Sequence, residues 1–362
     1  MKPLTLFFIA LSALAVIISA GCGSPSASTS SSTSPAAKTA LPVKLAFLTQ
    51  PGAASAGSPL NSQPAVAVQD AEGNVVTGST FQINISITSG TGGAGATLYG
   101  PTTATTVNGV ARFNALYINK AGTDYTLTAV CDALMPAVSA PFKISAAEAS
   151  KLAFTVQPAG GTAGSPFTIQ PEAAVLDHFG NPVTNYSDPV TIAITFGSTS
   201  GAVLAGKTTV PVINGIARFT DLSIDKAYPS FTLTAMSDSL EPANSLSFEI
   251  RPAAAVKLEF TIQPGGARAG KQFDTQPKVA VEDTFGNVVH DTGISVTISI
   301  TPGSGAPGAV LAGSKTEIAE GGLGGLAVYS GLSIDRPGSG YTLTAVGGNL
   351  TAAVSQNFDV TP

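Results

Sequence analysis

The string KLAFLTQPG at residues 44–52 returns as KLAFTVQPA at 151–159 and as KLEFTIQPG at 257–265. An Ala-Gly pair follows at 56–57, 163–164 and 269–270, and a second Gln-Pro at 63–64, 170–171 and 276–277. The strings DAEGNVV, DHFGNPV and DTFGNVV begin at Asp70, Asp177 and Asp283, so the intervals are 107 residues (177 − 70) and 106 (283 − 177). Solenoid units repeat every 20–45 residues or so and cannot stand alone. A period near 106 instead fits a whole domain that encloses its own core. Whatever one repeat becomes, the chain contains it three times, with expected boundaries at 44–149, 150–255 and 256–362.

Inside each repeat the hydrophobic period is two. In VTIAITF, Val190, Ile192, Ile194 and Phe196 alternate with Thr191, Ala193 and Thr195, and FQINISI (81–87) and ISVTISI (294–300) alternate in the same way. Period two places apolar side chains on one face of a strand. No segment after the N-terminal region has a helical period. Only 11% of residues are charged, and 39 Gly and 25 Pro punctuate the strands. Seven or eight short strands per repeat predict an all-β chain of three tandem antiparallel β-sandwiches. Pro64, Pro171 and Pro277 each open a strand, where the missing N–H is tolerated. The connections SAAEAS (145–150) and RPAAAV (251–256) are about six residues each, which predicts neighbours placed end to end with limited bending. Three sandwiches in line reach on the order of 100 Å.

A later landmark sharpens the class of sandwich. DYTLTA (124–129), SFTLTA (230–235) and GYTLTA (340–345) follow GVARFNALYI (109–118), GIARFTDLSI (215–224) and GLAVYSGLSI (325–334). Tyr125 and Tyr341 stand at the start of a late strand, the placement of a tyrosine corner whose hydroxyl bonds back to the backbone. Phe231 lacks that hydroxyl. There is no Trp and no candidate inter-sheet Cys pair, which excludes antibody-type domains. Together the D-x-x-G-N-x-V, G-x-A-x-F-x-x-L-x-I and Y-x-L-T-A elements resemble the bacterial immunoglobulin-like domains of the invasin/intimin type. That resemblance implies stacked domains of a surface protein, many of which are stalks and only some of which touch a ligand. The chain shows no outer-membrane barrel and no lectin-like tip, so host-cell adhesion does not follow from it.

The D-x-x-G-N string itself reads as a turn. Asp70, Asp177 and Asp283 end apolar strands, Gly73, Gly180 and Gly286 supply a positive φ, and Asn74, Asn181 and Asn287 tolerate the bend or cap it. A calcium site takes six to eight oxygens. Only the Asp and Asn recur here, because Glu72 aligns with Phe179 and Phe285, and no metal is assigned.

The N-terminus carries an address. Lys2 precedes the apolar run LTLFFIALSALAVIIS (4–19), which is too short and too terminal for a comfortable span and ends in small residues. SAGC (19–22) resembles a bacterial lipobox, with Ser19 where Leu is usual; this implies a signal peptide of residues 1–21, cleavage between Gly21 and Cys22, and lipid on Cys22. The other reading is plain secretion, with a cut after Ala20. Residues 22–43, rich in Ser, Thr, Pro and Ala, form the expected disordered tether. Cys131 aligns with Ser237 and Gly347 and reads as a small buried strand residue, with a reactive thiol as the other reading. The full chain has 17 Lys+Arg against 22 Asp+Glu; losing Lys2 leaves 16 − 22 = −6. No basic stripe exists to hold nucleic acid.

Catalytic parts are few. His178 replaces Ala71 and Thr284 at a variable turn position, and His290 lies in a loop of a different repeat. No phosphate loop, CxxC or HExxH is present and no carboxylate pair recurs, so neither an enzyme nor a cofactor is expected. A carbohydrate-binding face would need an aromatic platform; Tyr99, Tyr117 and Tyr186 do not recur and are the candidate surface contacts. The sequons at Asn84, Asn185 and Asn349 read as accidental. The functional expectation is a lipid-anchored, extracytoplasmic rod for adhesion or for interaction with the envelope, a protein or a glycan. A passive envelope spacer is the alternative, and a carbohydrate-binding accessory protein a weaker one.

Overall fold

The structure, a computed structural model, describes residues 40–362 apart from Ser79, Ala133, 196–200 and Asp291. The signal peptide, Cys22, most of the tether and Phe196 lie outside the described residues. The described chain is all-β, with one short 3₁₀ turn at Gly321–Leu323, just before the third repeat's Leu326–Val328 strand.

Each repeat folds as an immunoglobulin-like sandwich. In the first, Lys44–Thr49 pairs antiparallel with Ala65–Gln69, which pairs antiparallel with Val110–Arg112. A parallel pairing of Lys44 with Met135 joins these strands, in one seven-stranded sheet, to the facing layer Leu134–Val138, Leu127–Cys131, Gln82–Ile87, Thr103–Thr105, which is antiparallel. A short continuation of the first strand, Ala54–Ser55, crosses to the other layer and pairs parallel with Phe142–Ser145, which also pairs with Gly122–Tyr125. The second repeat repeats this plan with Ala149–Val156, Glu172–Asp177 and Ile216–Arg218 against Val190–Ile194, Leu233–Met236 and Ala243–Asn244. The third does so with Lys257–Ile262, Lys278–Glu282 and Leu326–Val328 against Ser295–Ile300, Leu343–Val346 and Ala353–Val354. Gly161–Thr162 and Ala267–Arg268 make the same parallel crossing.

The two-residue period decides what is buried. Ile83 and Ile85, Val190 and Ile192, and Val296 and Ile298 are all buried, whereas Gln82, Asn84 and Ser86, which alternate with the first pair, are exposed. These side chains join three separate cores, one per repeat. Ile194 falls at a strand end and is only half-buried.

Two recurring polar residues hold the frame, and the sequence reading assigned them no role. Gln63 accepts from the Leu116 N–H at 2.9 Å and donates Nε2 to the Leu116 carbonyl at 3.1 Å; Gln170 with Leu222 and Gln276 with Leu332 do the same. An amide that accepts the N–H of a residue and donates to that residue's C=O fixes a loop as a missing strand pair would. Ser139, Ser245 and Ser355, each buried, accept the N–H of Leu127, Leu233 and Leu343 at 2.9 Å, where the last strand crosses between layers.

Candidate functional site

The D-x-x-G-N strings are turns, as their chemistry suggests. The N–H of Gly73, Gly180 and Gly286 donates to the carbonyl of Asp70, Asp177 and Asp283 at 3.0–3.2 Å. The glycine φ values are 90°, 78° and 76°, a region closed to most side chains. The Asp carboxylate Oδ1 accepts the Asn N–H four residues on at 2.8, 2.8 and 2.9 Å. None of the three Asn is among the positive-φ residues, so their side chains are free for another purpose.

In the second and third repeats that purpose lies in the neighbouring domain. Asn181 Oδ1 accepts the Ala121 N–H of the first repeat at 3.0 Å, and its Nδ2 donates to the Asn119 carbonyl at 2.9 Å and to Asp177 Oδ2 at 2.8 Å. Asp177 Oδ2 also accepts the N–H of Ala147, in the connection, at 2.9 Å. Lys120 Nζ reaches back to the Phe179 carbonyl at 2.7 Å. The second joint repeats every bond: Asn287 with Ala227 (3.0 Å) and Asp225 (2.9 Å), Asp283 with Ala253 (2.8 Å), and Lys226 with Phe285 (2.6 Å). The Phe179 ring packs on the first core over Gly57, where a Cβ would overlap it, and Phe285 covers Gly164 in the same way. The turn is therefore one half of an inter-repeat joint, with residues 119–121 or 225–227 as the other half.

Burial follows the joint. Asp177 and Asp283 are fully buried and Asn181 and Asn287 nearly so, while Asn74 is exposed. Burial pushes the carboxyl of Asp177 up. The Asn181 N–H and amide, with the N–H groups of Ala147 and Phe179, outweigh it and hold the pKa below the usual carboxylate range. Asp283 is held low by the matching donors. In the first turn the Asn74 N–H is the main cause of a lowered Asp70 pKa.

The tyrosine corner supports the same feature. Tyr125 and Tyr341 are fully buried, and their hydroxyls donate to the carbonyls of Lys120 and Arg336 at 2.9 Å. Lys120 thus has its backbone fixed by Tyr125 and its side chain fixed on the next repeat. Phe231 is equally buried and packs by its edge on Tyr228, with no hydroxyl for Lys226.

The remaining candidates stay apart. Among the described residues no three His, Cys, Asp or Glu side chains gather as metal ligands. Both oxygens of Asp177 and of Asp283 already accept N–H donors. His178 lies edge-on to Phe179 at 5.5 Å, and His290 lines an open cleft of about 510 Å³ at the second joint with Tyr228 and Glu249. Tyr186 bonds to Ser237 at 2.7 Å. Tyr99, 39% exposed, stacks on Tyr117 with ring centroids 4.9 Å apart. Cys131, expected to be buried, is a half-buried free thiol, because it falls at the end of the Leu127–Cys131 strand. No helix among the described residues is long and apolar enough to cross a membrane.

No protein-family model matches the chain, and no curated protein matches it. Solved structures similar to it include the Escherichia coli adhesin FdeC, at 15% identity and a TM-score of 0.32, covering 86% of this chain and 96% of that one. Yersinia pseudotuberculosis InvD is similar at 13% identity and a TM-score of 0.31, covering 88% and 98%. The FN1–FN3 domains of chicken CNTN1 are similar at 11% identity and a TM-score of 0.30, covering 88% and 97%.

Proposed function

We propose that this chain is a non-enzymatic, lipid-anchored surface protein that holds three immunoglobulin-like domains in line, at 44–149, 150–255 and 256–362, for adhesion or for interaction with the envelope, a protein or a glycan. The observation that carries this reading is the pair of joints, in which the same buried Asp–Asn pair and half-buried Lys couple each domain to the next. A chain of independent binding modules needs no such coupling. One that must project a contact surface away from its anchor does, because a stiff arm keeps its reach while a flexible one recoils. The export signal and Cys22 supply the other end: lipid on Cys22 would hold the tether to a bacterial membrane, with more than one acyl chain needed for stable anchoring.

Contact is best sought first on the first repeat. Its stacked Tyr99 and Tyr117 correspond by strand pairing to Ala205 and Ser223 in the second repeat and to Ala312 and Ser333 in the third. Purified residues 44–362 would be titrated onto the producer's own cells and cell-wall polysaccharide. Saturable binding, weakened by Tyr99→Ser with Tyr117→Ser, supports adhesion and locates the site. Binding that stays linear with concentration refutes adhesion and leaves a passive spacer. Separately, Cys22→Ala should release the protein from membranes, and retention would refute the anchor.

A further inference from the structure

The sequence holds no recurring aromatic platform, but the fold assembles one in the first repeat. Leu98–Tyr99 and Tyr117–Ile118 form a two-stranded sheet in which Tyr99 and Tyr117 are direct partners, and Pro59 pairs with Tyr117 from the other side. Residues opposite one another on paired antiparallel strands share a face. Pro59, Tyr117 and Tyr99 therefore lie in a row two strand spacings across, about 10 Å. The two phenol rings are parallel to within 7°, with centroids 4.9 Å apart. Pro59 and Tyr99 are exposed and Tyr117 is half-buried. Neither phenol hydroxyl has a hydrogen-bond partner among the described residues, and neither do the exposed side-chain amides of Asn61 and Asn114, close by in the chain.

The same row in the other repeats is Pro166, Ser223 and Ala205, and Gln272, Ser333 and Ala312. Charge changes with it. Residues 45–69 and 73–119 include one charged side chain, Arg112, which pairs with Ala65 in a separate sheet. Lys120 is held on the Phe179 carbonyl of the next repeat. The second repeat has Lys207, Asp221 and Asp225 where the first has Pro101, Ala115 and Asn119. The first repeat thus presents aromatic surface where the second presents charge.

An uncharged aromatic row with unpaired hydroxyls and amides beside it selects its ligand. A sugar ring carries C–H groups on its faces and hydroxyls around its edge. The C–H groups pack on the electron-rich face of a phenol, and the hydroxyls donate to and accept from phenol and carboxamide groups. A carboxylated or sulfated sugar would lose water with no cation to receive it. A protein partner buries about 800 Å² on each side, more than so narrow a row provides.

We infer that Pro59, Tyr117 and Tyr99 bind the neutral sugar rings of an envelope polysaccharide. This rests on the contact function proposed above and names its ligand class.

The test uses residues 22–362 carrying Cys22→Ala and the producer's cell-wall polysaccharide, separated by anion exchange into neutral and acidic fractions. Isothermal titration should show saturable binding to the neutral fraction. With no charge pair to screen, affinity should change less than about twofold between roughly 50 and 500 mM salt. Tyr99→Ala with Tyr117→Ser should weaken binding at least about tenfold, as truncating aromatic anchors does. The second and third repeats carry Ala and Ser at these two places, so the fold accommodates the change. Saturable binding to whole cells with none to the neutral fraction overturns the glycan assignment and leaves surface contact standing. So does tighter binding to the acidic fraction, a strong salt dependence, or indifference to the double substitution. Binding to cells that never saturates overturns both.

Discussion

Replacing Asn181 by Ala isolates what the joint contributes. The variant keeps the turn, since the backbone N–H of residue 181 still reaches Asp177 Oδ1. It loses the acceptor for the Ala121 N–H, the donor to the Asn119 carbonyl and one donor to Asp177 Oδ2. A net hydrogen bond contributes about 1 kcal/mol, and a buried group left unpaired costs about 1–3. Two bonds across the joint and one onto a fully buried carboxylate make a loss of about 2–4 kcal/mol in the stability of the second repeat and in its coupling to the first. Asn74→Ala is the matched control: the same residue in the same turn, exposed and bonded only to Asp70. It should cost less than ~1 kcal/mol. Urea unfolding of both variants, with NMR relaxation to follow the tumbling of the first repeat against the second, measures the difference. Equal losses from the two variants would refute the reasoning, because the turn would then be only local.

Other expectations follow from the same bonds. Gly57→Ala meets both a φ of 76° and the Phe179 ring, whereas Gly270→Ala meets only its φ of 69°; both pay a backbone cost of about 1 kcal/mol, and only the first should also loosen a joint, read by NMR relaxation. Tyr125→Phe removes the hydroxyl from the Lys120 carbonyl and should cost about 1 kcal/mol in urea unfolding, making the first repeat like the second at this corner. The lowered pKa values of Asp177 and Asp283 fix the sign of a pH effect. Their ionised forms are favoured in the folded chain, so this stability is fully present above the ordinary aspartate pKa of about 3.9. It is lost as the pH falls through the folded values. Unfolding midpoints compared at pH 7 and pH 3 should show the loss, and Asp177→Asn should show less of it.

Much of one repeat was legible because its logic is local. Alternation in FQINISI and ISVTISI places Ile83, Ile85, Val296 and Ile298 inside, and DxxGN encodes a turn through a glycine that must take positive φ. Tyr125 and Tyr341 announce a corner because a buried hydroxyl needs an acceptor nearby. What escaped were partners distant in sequence. Gln63 serves the backbone of a residue 53 positions away, and Asn181 that of one 60 positions away; no periodicity encodes such distances. The recurrence of Gln-Pro drew attention to the proline, whose effect is local, and away from the glutamine, whose effect is not.

A signal for the joints was nonetheless present, in what fails to repeat. Residues needed to build a sandwich occur three times, as Gln63, Gln170 and Gln276 do. A row of three domains has two joints, so a residue needed only for docking is constrained twice. On the turn side the constrained copies fall in the second and third repeats: Phe179 and Phe285, against Glu72. On the other side, that of residues 119–121 and 225–227, they fall in the first and second: Lys120 and Lys226 against Arg336, Ala121 and Ala227 against Pro337. The two kinds of exception lie at opposite ends of the array, as a directional joint requires.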